Sequence, residues 1–489
     1  MPLIQSERMS TYQKEVDRVF VEENSNILLS AVAGSGKTTM LLHLLEKVNG
    51  SALFLAFNKS IVEELEQKVK FNPRVQIRTL HSIGMSGLTS VFGNLKLNDS
   101  KTVDFCLKMK GEWECEDMPN REWWALVYQI KGLYNLFRMK MCNNFQDLVD
   151  VCNVLGVYWD EGLILKTLQI HGLASSYNRN PKVIDFTDMV YLSATDSRVT
   201  FRTPTVTFID ECQDLNEAQH LLLDKIIKNS RFVACGDRNQ SIYGFSGADV
   251  KSFDRFLERQ NVVELPLSVC YRCGKKIVEH ANGVFNNMEA FEGSEDGEVD
   301  FEGNVMDAEE GDMVVCRNTM PLVQTFFNFL KRGKKSYIKG KDIGESLINL
   351  VNQTKGNTSR ELSENLVKRL ENLENELEIA GIENAKNHPK YQALEEKINI
   401  ISIFTKKYYT KREVENSINE VFSDEKSGVV LSTIHKSKGL EADNVYFLNR
   451  ELLPSKYAKT LDQIIQEKNL DYVARTRAKK KLVYCKIKE

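Results

Sequence analysis

A glycine-rich turn with a lysine and a threonine is the first place where this sequence encodes chemistry. The stretch Ala31–Thr38 (AVAGSGKT) follows an apolar run and precedes an apolar helical pattern. Gly34 and Gly36 let the backbone curl so that its N–H groups face a phosphate. Lys37 would reach the outer phosphates of a nucleotide, and the Thr38 hydroxyl would be a ligand for Mg²⁺. This spacing predicts a phosphate-binding loop between a strand and a helix.

A pair of acids provides a second element of the same chemistry. The apolar run Val206–Ile209 predicts a buried strand, and Asp210 and Glu211 follow it directly. A carboxylate at such a position can hold Mg²⁺, directly or through water, and we assign this role to Asp210. Glu211 is then placed to orient the attacking water or to accept its proton. Together with the phosphate-binding loop, the two acids predict nucleotide hydrolysis.

The segment Gly236–Asp249 (GDRNQSIYGFSGAD) indicates what the nucleotide is used for. It follows another apolar run, so Asp237 and Gln240 leave a strand end where a phosphate sensor would lie. Two aromatics, Tyr243 and Phe245, come next among glycines, and uncrowded aromatic faces suit stacking on unpaired bases. One short element is therefore expected to contact ATP at one end and a single-stranded nucleic acid at the other.

Bulk composition limits the class of protein. A chain of 489 residues is too long for one hydrophobic core, which predicts at least two domains. The formal net charge of −3 excludes a globally basic nucleic-acid coat, so any such surface is a local groove. No signal peptide or membrane-spanning run is recognisable, and the ten cysteines suit a reducing compartment. We interpret the cysteines, including the Cys270/Cys273 pair, as buried free thiols.

Strand-like runs that alternate with helical patterns recur in two blocks and predict an α/β protein with doubly wound parallel sheets. A mainly helical segment with all four tryptophans interrupts the first block, at about residues 87–181. Residues 347–423 interrupt the second with two apolar stripes, which predict a helical hairpin. The runs are 26–31, 52–57, 206–209 and 232–235 in the first block, and 312–316, 429–433, 444–448 and 481–485 in the second.

Taken together and in this order, the motifs resemble those of superfamily 1 helicases of the UvrD/Rep type. The resemblance spans nearly the whole chain. Besides the three segments above, it is carried by Thr11–Gln13 (TYQ), Leu55–Ser60 (LAFNKS), Thr79–Gly84 (TLHSIG), Leu267–Arg272 (LSVCYR), Leu431–Glu441 (LSTIHKSKGLE) and Leu470–Ala478 (LDYVARTRA).

The resemblance implies two RecA-like P-loop domains, each carrying a mainly helical insertion, with ATP and Mg²⁺ between them. The first domain would comprise residues 1–86 and 182–262 around the insertion 87–181. The second would comprise residues 263–346 and 424–489 around the insertion 347–423.

The resemblance also implies roles for single residues. The expected catalytic set is Lys37, Asp210, Glu211, Gln240, Arg272 and Arg477, with Thr38 and Asp210 holding the metal. The expected nucleotide-binding set is Gln13, Ala33, Gly34, Ser35, Gly36, Lys37, Thr38, Thr39, Tyr271, Arg272, Glu441 and Arg477. The expected nucleic-acid contacts are Phe57, Asn58, Lys59, His81, Tyr243, Phe245 and His435.

The activity implied is that of an ATP-dependent single-stranded DNA translocase and DNA helicase, moving 3′ to 5′. The expected substrates are single-stranded DNA and duplex junctions. DNA replication, repair or recombination is the expected process, and replication or repair proteins are the expected class of partner. The expected location is cytoplasmic, nucleoid or nuclear, and a monomer is one compatible state. Two alternatives stay open: an RNA-directed superfamily 1 helicase, and a translocase that displaces proteins with little unwinding. Thr39 and Ser246 stand where the family often has arginine.

Overall fold

The chain divides into two compact units, Met1–Ser268 and Val269–Glu489. Its computed structural model describes residues 9–68, 72–244, 247–249, 251–379, 384–422 and 427–487. Each unit is built around its own six-stranded parallel sheet.

The first unit has the strand order β3-β2-β6-β7-β1-β8, with every pair parallel. Because parallel strands end at the same edge of a sheet, the segments that follow β1, β2, β6 and β7 meet there. The strands are β1 (Asn26–Ala31), β2 (Ala52–Leu55), β3 (Val75–Arg78), β6 (Val206–Ile209), β7 (Arg231–Gly236) and β8 (Val262–Leu267), and a separate pair is formed by β4 (Lys96–Leu97) and β5 (Val183–Ile184).

Helices cover this sheet and also form a separate layer. Those near the sheet are α1 (Thr11–Glu22), α2 (Lys37–Leu45), α3 (Lys59–Lys68), α4 (Leu80–Phe92), α9 (Phe186–Thr195) and α10 (Glu217–Ile227). The others are α5 (Lys101–Met109), α6 (Asn120–Met139), α7 (Phe145–Leu155) and α8 (Glu161–Tyr177). Helices α5–α8 share a core of their own, in which Trp123 and four buried cysteines pack. Trp124, by contrast, is 40% exposed.

A buried ionic cluster joins this helical layer to α9. The guanidinium of Arg138, at the end of α6, donates to Asp185 at 2.8 Å and to Asp188 at 2.7 Å. The ammonium of Lys101 in α5 donates to Asp188 at 2.6 Å. Two cations and two carboxylates are thus paired out of water, and breaking such a cluster on one side leaves an uncompensated buried charge.

The second unit has the order β11-β16-β15-β12-β14-β13, again with all pairs parallel. Its strands are β11 (Glu298–Asp300), β12 (Met313–Cys316), β13 (Ser336–Lys339), β14 (Val429–Thr433), β15 (Ala442–Leu448) and β16 (Ala478–Cys485), with a small pair β9 (Val269–Cys270) and β10 (Glu289–Ala290). Its helices are α11 (Lys275–Asn282), α12 (Thr319–Lys331), α13 (Lys341–Gln353), α14 (Ser359–Ile379), α15 (Pro389–Thr405), α16 (Lys411–Val421), α17 (Ile434–Ser437) and α18 (Leu461–Arg475).

The helical segment of the second unit is larger than a hairpin. The two apolar stripes fall on α14 and α15, which pack against each other, while α13 and α16 flank them. Leu366, Ile401 and Ile418 of these helices belong to the same hydrophobic core as Val314 and Leu431 of the sheet. These helices therefore continue the core of the sheet.

The predicted fold class is confirmed, with two parallel sheets in an α/β arrangement. All eight predicted strands are present, and four further strands complete the two sheets. Those four, β3, β8, β11 and β13, are the edges of the sheets and are only partly buried. Central strands of parallel sheets read as continuous apolar runs, and half-exposed edges do not. Within the described ranges, no helix combines the length and apolarity needed to cross a bilayer.

Candidate functional site

The phosphate-binding loop lies between β1 and α2, as its sequence predicts. Gly34 and Gly36 both adopt positive φ angles, 72° and 78°, which glycine tolerates without strain. Gly36 is the N-cap of α2 and has no side chain to cap it. The first N–H groups of α2 are thereby left for a ligand, and a helix N-terminus favours an anion. Ala33 and Ser35 are buried inside the loop.

The side chains that follow the loop meet the two acids at the end of β6. The Thr38 hydroxyl donates to Asp210 Oδ2 at 2.8 Å. Lys37 Nζ lies 3.8 Å from Glu211 Oε1. Thr38 and Asp210 are 172 positions apart in the chain, and the parallel sheet brings them together. The next residue, Thr39, is exposed on α2.

Burial and crowded charges set the electrostatics here. Burial, and then the charge of Glu211, raise the pKa of Asp210 to about 6, although Thr38 and Lys37 oppose this. Burial acts to lower the pKa of Lys37, but neighbouring acids, led by Glu211, hold it above its ordinary value. The hydroxyl and carboxylate oxygens of Thr38 and Asp210 are the donor types that Mg²⁺ prefers, and a cation would relieve the repulsion between the two acids.

The segment after β7 lies beside these acids. Asp237 is buried, its side chain accepts from the N–H of Asn239 at 2.9 Å, and its charge helps to hold the pKa of Lys37 up. Gln240 is buried at the end of a short 3₁₀ turn. Arg238 points elsewhere, with ion pairs to Glu264 at 2.8 Å and Asp254 at 3.0 Å. The structure thus brings Asp237 and Lys37 close and keeps Gln240 in the same buried turn.

Aromatic side chains collect at the same edge of the sheet. The ring of Phe57, 39% exposed after β2, stacks on Tyr243 with centroids 6.0 Å apart and planes inclined by 12°. Burial raises the pKa of Tyr243 to about 12, with help from Asp214 and Glu211, so the phenol is neutral. Phe245 and Ser246 lie outside the described residues.

A pocket connects this aromatic face to the acids. Its lining includes Phe57, His81 and Asp210. Burial lowers the pKa of His81, which keeps the imidazole neutral. The ring of Phe186, 52% exposed at the start of α9, lies 5.1 Å from that of His81. Sequence reasoning missed Phe186, because nothing in its local sequence shows that α9 packs on α4.

Three other predicted residues have local structural contacts. Asn58 Oδ1 accepts from the N–H of Ile61 at 2.9 Å at the start of α3, and Lys59 pairs with Glu63 at 3.4 Å on the exposed face. Gln13 forms a capping box with Ser10 at the start of α1. Its Nε2 lies 3.8 Å from where a Cβ on Gly36 would stand. The structure therefore places Gln13 against the phosphate-binding loop.

In the second unit, the predicted residues form a separate group. Arg272 Nε donates to Glu441 Oε2 at 2.6 Å, and Lys479 Nζ pairs with Glu441 Oε1 at 2.7 Å. Burial would raise the pKa of Glu441, but these two cations outweigh it and lower the pKa. Tyr271 lies beside Phe291, with ring centroids 4.9 Å apart.

Arg477 and His435 are more enclosed than the other predicted residues of this unit. Arg477 is 1% exposed and donates to the carbonyls of Val473 at 2.9 Å and Leu440 at 3.1 Å. His435 lies in α17, where burial first and nearby cations second lower its pKa to about 3. A neutral His435 can contact a nucleic acid only through hydrogen bonds or ring stacking.

Comparison with known proteins decides the family. The profile of the UvrD/REP helicase N-terminal domain matches residues 12–261, about half of the chain. The chain belongs to the UvrD/Rep helicase family. The profile of the UvrD-like helicase C-terminal domain matches residues 320–489 of this family member as well. The resemblance drawn from the motifs is thereby confirmed.

Individual relatives are distant. The chain is 24% identical to the ATP-dependent DNA helicase Rep of Buchnera aphidicola subsp. Acyrthosiphon pisum, over 54% of this chain and 43% of that protein. It is 24% identical to the ATP-dependent DNA helicase PcrA of Bacillus subtilis, over 53% and 37%. The F-box DNA helicase protein 1 of Schizosaccharomyces pombe is 22% identical over 97% of this chain and 57% of its own length. The matched part thus spans about two fifths of the bacterial relatives.

Proposed function

We propose that this protein is an ATP-dependent DNA helicase that translocates on single-stranded DNA. One observation carries the proposal: the pair Thr38–Asp210, at 2.8 Å, lies in the same sheet edge as the stacked rings of Phe57 and Tyr243. A hydrolytic centre and a surface suited to unpaired bases are thus neighbours within one unit. These relatives are named as DNA helicases, which supports DNA as the substrate.

ATP would be held by the loop and by Lys37, with Gln13 beside it. Mg²⁺ would be held by Thr38 and Asp210 and would neutralise phosphate charge. Glu211 orients the attacking water and accepts its proton. Gln240 senses the γ-phosphate from the buried turn after β7.

Family resemblance assigns nucleotide-binding roles to four residues of the second unit. Tyr271 stacks on adenine, Glu441 contacts the ribose, and Arg272 and Arg477 stabilise charge on the phosphoryl group in transfer. Arg272 is paired with Glu441 at 2.6 Å, and the phosphate oxygens of ATP would compete for the same guanidinium. Arg477 would exchange its carbonyl contacts for phosphate contacts in that state.

Single-stranded DNA would lie across the aromatic face formed by Phe57, Tyr243, His81 and Phe186, with Phe245, Asn58 and Lys59 as further contacts and His435 from the second unit. Stacking tolerates any base sequence, which suits an enzyme that moves along DNA. Movement from 3′ to 5′ is the direction of the family that the motifs resemble.

Unwinding assays on 3′-tailed and 5′-tailed duplexes, each made as DNA and as RNA, test the proposal. We expect ATP-dependent unwinding of the 3′-tailed DNA duplex and ATP hydrolysis that rises at least tenfold with single-stranded DNA. Hydrolysis that ignores DNA contradicts the proposal. Unwinding of RNA alone points to an RNA helicase, and movement along DNA without unwinding points to a translocase that displaces proteins.

A further inference from the structure

A buried glutamine bridges the two segments that carry the hydrolytic acids and the phosphate sensor. Gln213 is 1% exposed and lies in the 3₁₀ turn Cys212–Asp214, directly after Glu211. Its Nε2 donates to Glu211 Oε2 at 2.5 Å and to Asp214 Oδ2 at 3.2 Å. Its Oε1 accepts from the backbone N–H of Asp237 at 3.1 Å.

These contacts fix which way the amide faces. The N–H of Asp237 can only donate, so the amide oxygen must face it. The –NH₂ group then faces two carboxylates, which can accept both of its hydrogens. No flipped arrangement satisfies all three partners, so the amide has a single orientation in this buried site.

Two serine hydroxyls hold the backbone around Gln213. The Ser252 hydroxyl donates to the carbonyl of Cys212 at 2.6 Å, and the Ser241 hydroxyl donates to that of Gln213 at 3.4 Å. Glu211 itself adopts a left-handed backbone conformation, with φ 51° and ψ 43°, which costs a non-glycine residue energy. The turn therefore fixes the direction of the Glu211 side chain, and Gln213 holds the Glu211 carboxylate.

Gly236 makes this close approach possible. A Cβ at this position would overlap the Oε1 atom of Gln213 and would lie 2.8 Å from Cys212 Sγ. Glycine here lets the end of β7 come within hydrogen-bonding distance of the amide without displacing it. The bridge thus depends on residues from two separate motifs.

We propose that Gln213 is a positioning residue that holds the Glu211 carboxylate and ties it to the strand end leading to Gln240 and Tyr243. The inference rests on the proposed function, because it needs Glu211 to be the base for ATP hydrolysis. The side-chain hydrogen bonds of Gln213 in the described structure go to Glu211, Asp214 and Asp237, and none goes to Lys37 or Thr38. Its loss should therefore slow the hydrolytic step and spare ATP binding.

Gln213→Met keeps the length of the side chain and removes both its donor and its acceptor. We expect the kcat of DNA-stimulated ATP hydrolysis to fall about 10- to 100-fold, as for a misplaced catalytic group, with the KM for ATP within about threefold. Gly236→Ala should reproduce this loss, because its methyl group displaces the same amide. Gln146→Met is the matched control, since it removes an exposed amide-to-carboxylate hydrogen bond, to Asp150, far from these motifs in sequence.

Gln213→Glu adds a second readout, the pH dependence of kcat, which would not change if the role of Gln213 were purely structural. The new carboxylate would face Glu211 and Asp214, with Asp210, Asp237 and Lys37 as the other charged groups nearby. As the pH falls from 8 to 6 it should take up a proton and regain a donor. The kcat of this variant, divided by that of the unchanged protein, should therefore rise at least threefold over that range.

The outcomes separate the two proposals. If the unchanged protein shows no DNA-stimulated hydrolysis, or Glu211→Gln retains it, the proposed function fails. If both behave as expected but Gln213→Met and Gly236→Ala keep kcat within twofold, the positioning role is overturned. It is also overturned if kcat and ATP affinity fall together, or if the pH ratio for Gln213→Glu stays flat. Should Gln213→Met not fold, the Gly236→Ala and Gln213→Glu results decide.

Discussion

At the scale of single residues, Lys37 is the clearest test of the hydrolytic centre. Its ammonium lies 3.8 Å from Glu211, and the surrounding acids keep it charged. Lys37→Ala should lower the kcat of ATP hydrolysis at least 100-fold, because it removes a cation from the site of the transferred phosphate. Affinity for single-stranded DNA, measured by fluorescence anisotropy without nucleotide, should stay within about threefold.

Lys47→Ala is the matched control for this change. It removes an ammonium just beyond the other end of α2, where Lys47 pairs with Asp17. Turnover close to that of the unchanged protein is expected for it. Normal turnover of Lys37→Ala would be incompatible with the assigned phosphate-binding loop.

The stacked aromatic pair supports a second residue-scale prediction. Replacing Phe57 and Tyr243 by alanine should weaken binding of single-stranded DNA by about 1–3 kcal/mol for each base that stacks. Tyr409→Ala is the control, since Tyr409 is 86% exposed in the second unit. Anisotropy titration of a short oligonucleotide measures the difference. Unchanged affinity of the double variant would leave the two rings stacked only on each other.

At the scale of elements, the packing of α4 on α9 brings His81 next to Phe186. A Cβ on Gly84 in α4 would collide with the carbonyl oxygen of Met189 in α9. The Ser193 hydroxyl of α9 also donates to the carbonyl of Gly84 at 2.8 Å. The two helices touch along their backbones, so the distance between the two rings depends on this glycine.

Gly84→Ala should therefore destabilise the first unit by about 1–3 kcal/mol, as for an overpacked core, and should weaken DNA binding as well. Gly132→Ala in α6 is the control, because nothing lies within 4 Å of its added Cβ. That variant should be neutral or more stable by up to about 1 kcal/mol. Urea unfolding followed by tryptophan fluorescence measures both. Equal stability of the two variants would rule out close helix packing at Gly84.

At the scale of the molecule, each unit has its own hydrophobic core, and a buried histidine links the stability of the first unit to pH. His220 bonds to the Ser252 hydroxyl at 2.8 Å, and burial first, then Arg259 and Arg255, lower its pKa to about 3. The unfolded chain takes up this proton near pH 6.5, and the folded unit resists it. The free energy of unfolding should therefore be highest above pH 6.5 and fall as the pH drops toward 3.

One such proton changes the free energy of unfolding by at most about 1.4 kcal/mol per pH unit. His220→Gln should reduce the slope between pH 6.5 and 4.5 by up to this amount. Denaturation monitored through the tryptophans, all four of which lie in the first unit, follows the change. Parallel pH curves for the variant and the unchanged protein would show that His220 does not resist protonation.

Sequence alone determined the fold class, the central strands and the segments that bear the chemistry. Apolar runs survive in central strands because both faces of a parallel sheet are covered, and the loop at Ala31–Thr38 needs only local spacing of glycine, lysine and threonine. The edge strands β3, β8, β11 and β13 escaped because their faces are half exposed. The core shared by α13–α16 and the second sheet was not predicted either, because an amphipathic stripe does not show which element packs against it.

Tertiary structure decided which residues meet. The contact of Phe57 with Tyr243, of His81 with Phe186, and of Gln213 with both Glu211 and Asp237 joins positions far apart in the chain or on separate elements. Side-chain type and spacing determine the chemistry available to a residue. Strand order and helix packing determine which other residues it contacts. Local sequence therefore predicted the chemical groups of this helicase family member. Only the folded sheet edge showed that the amide of Gln213 links Glu211 to Asp237.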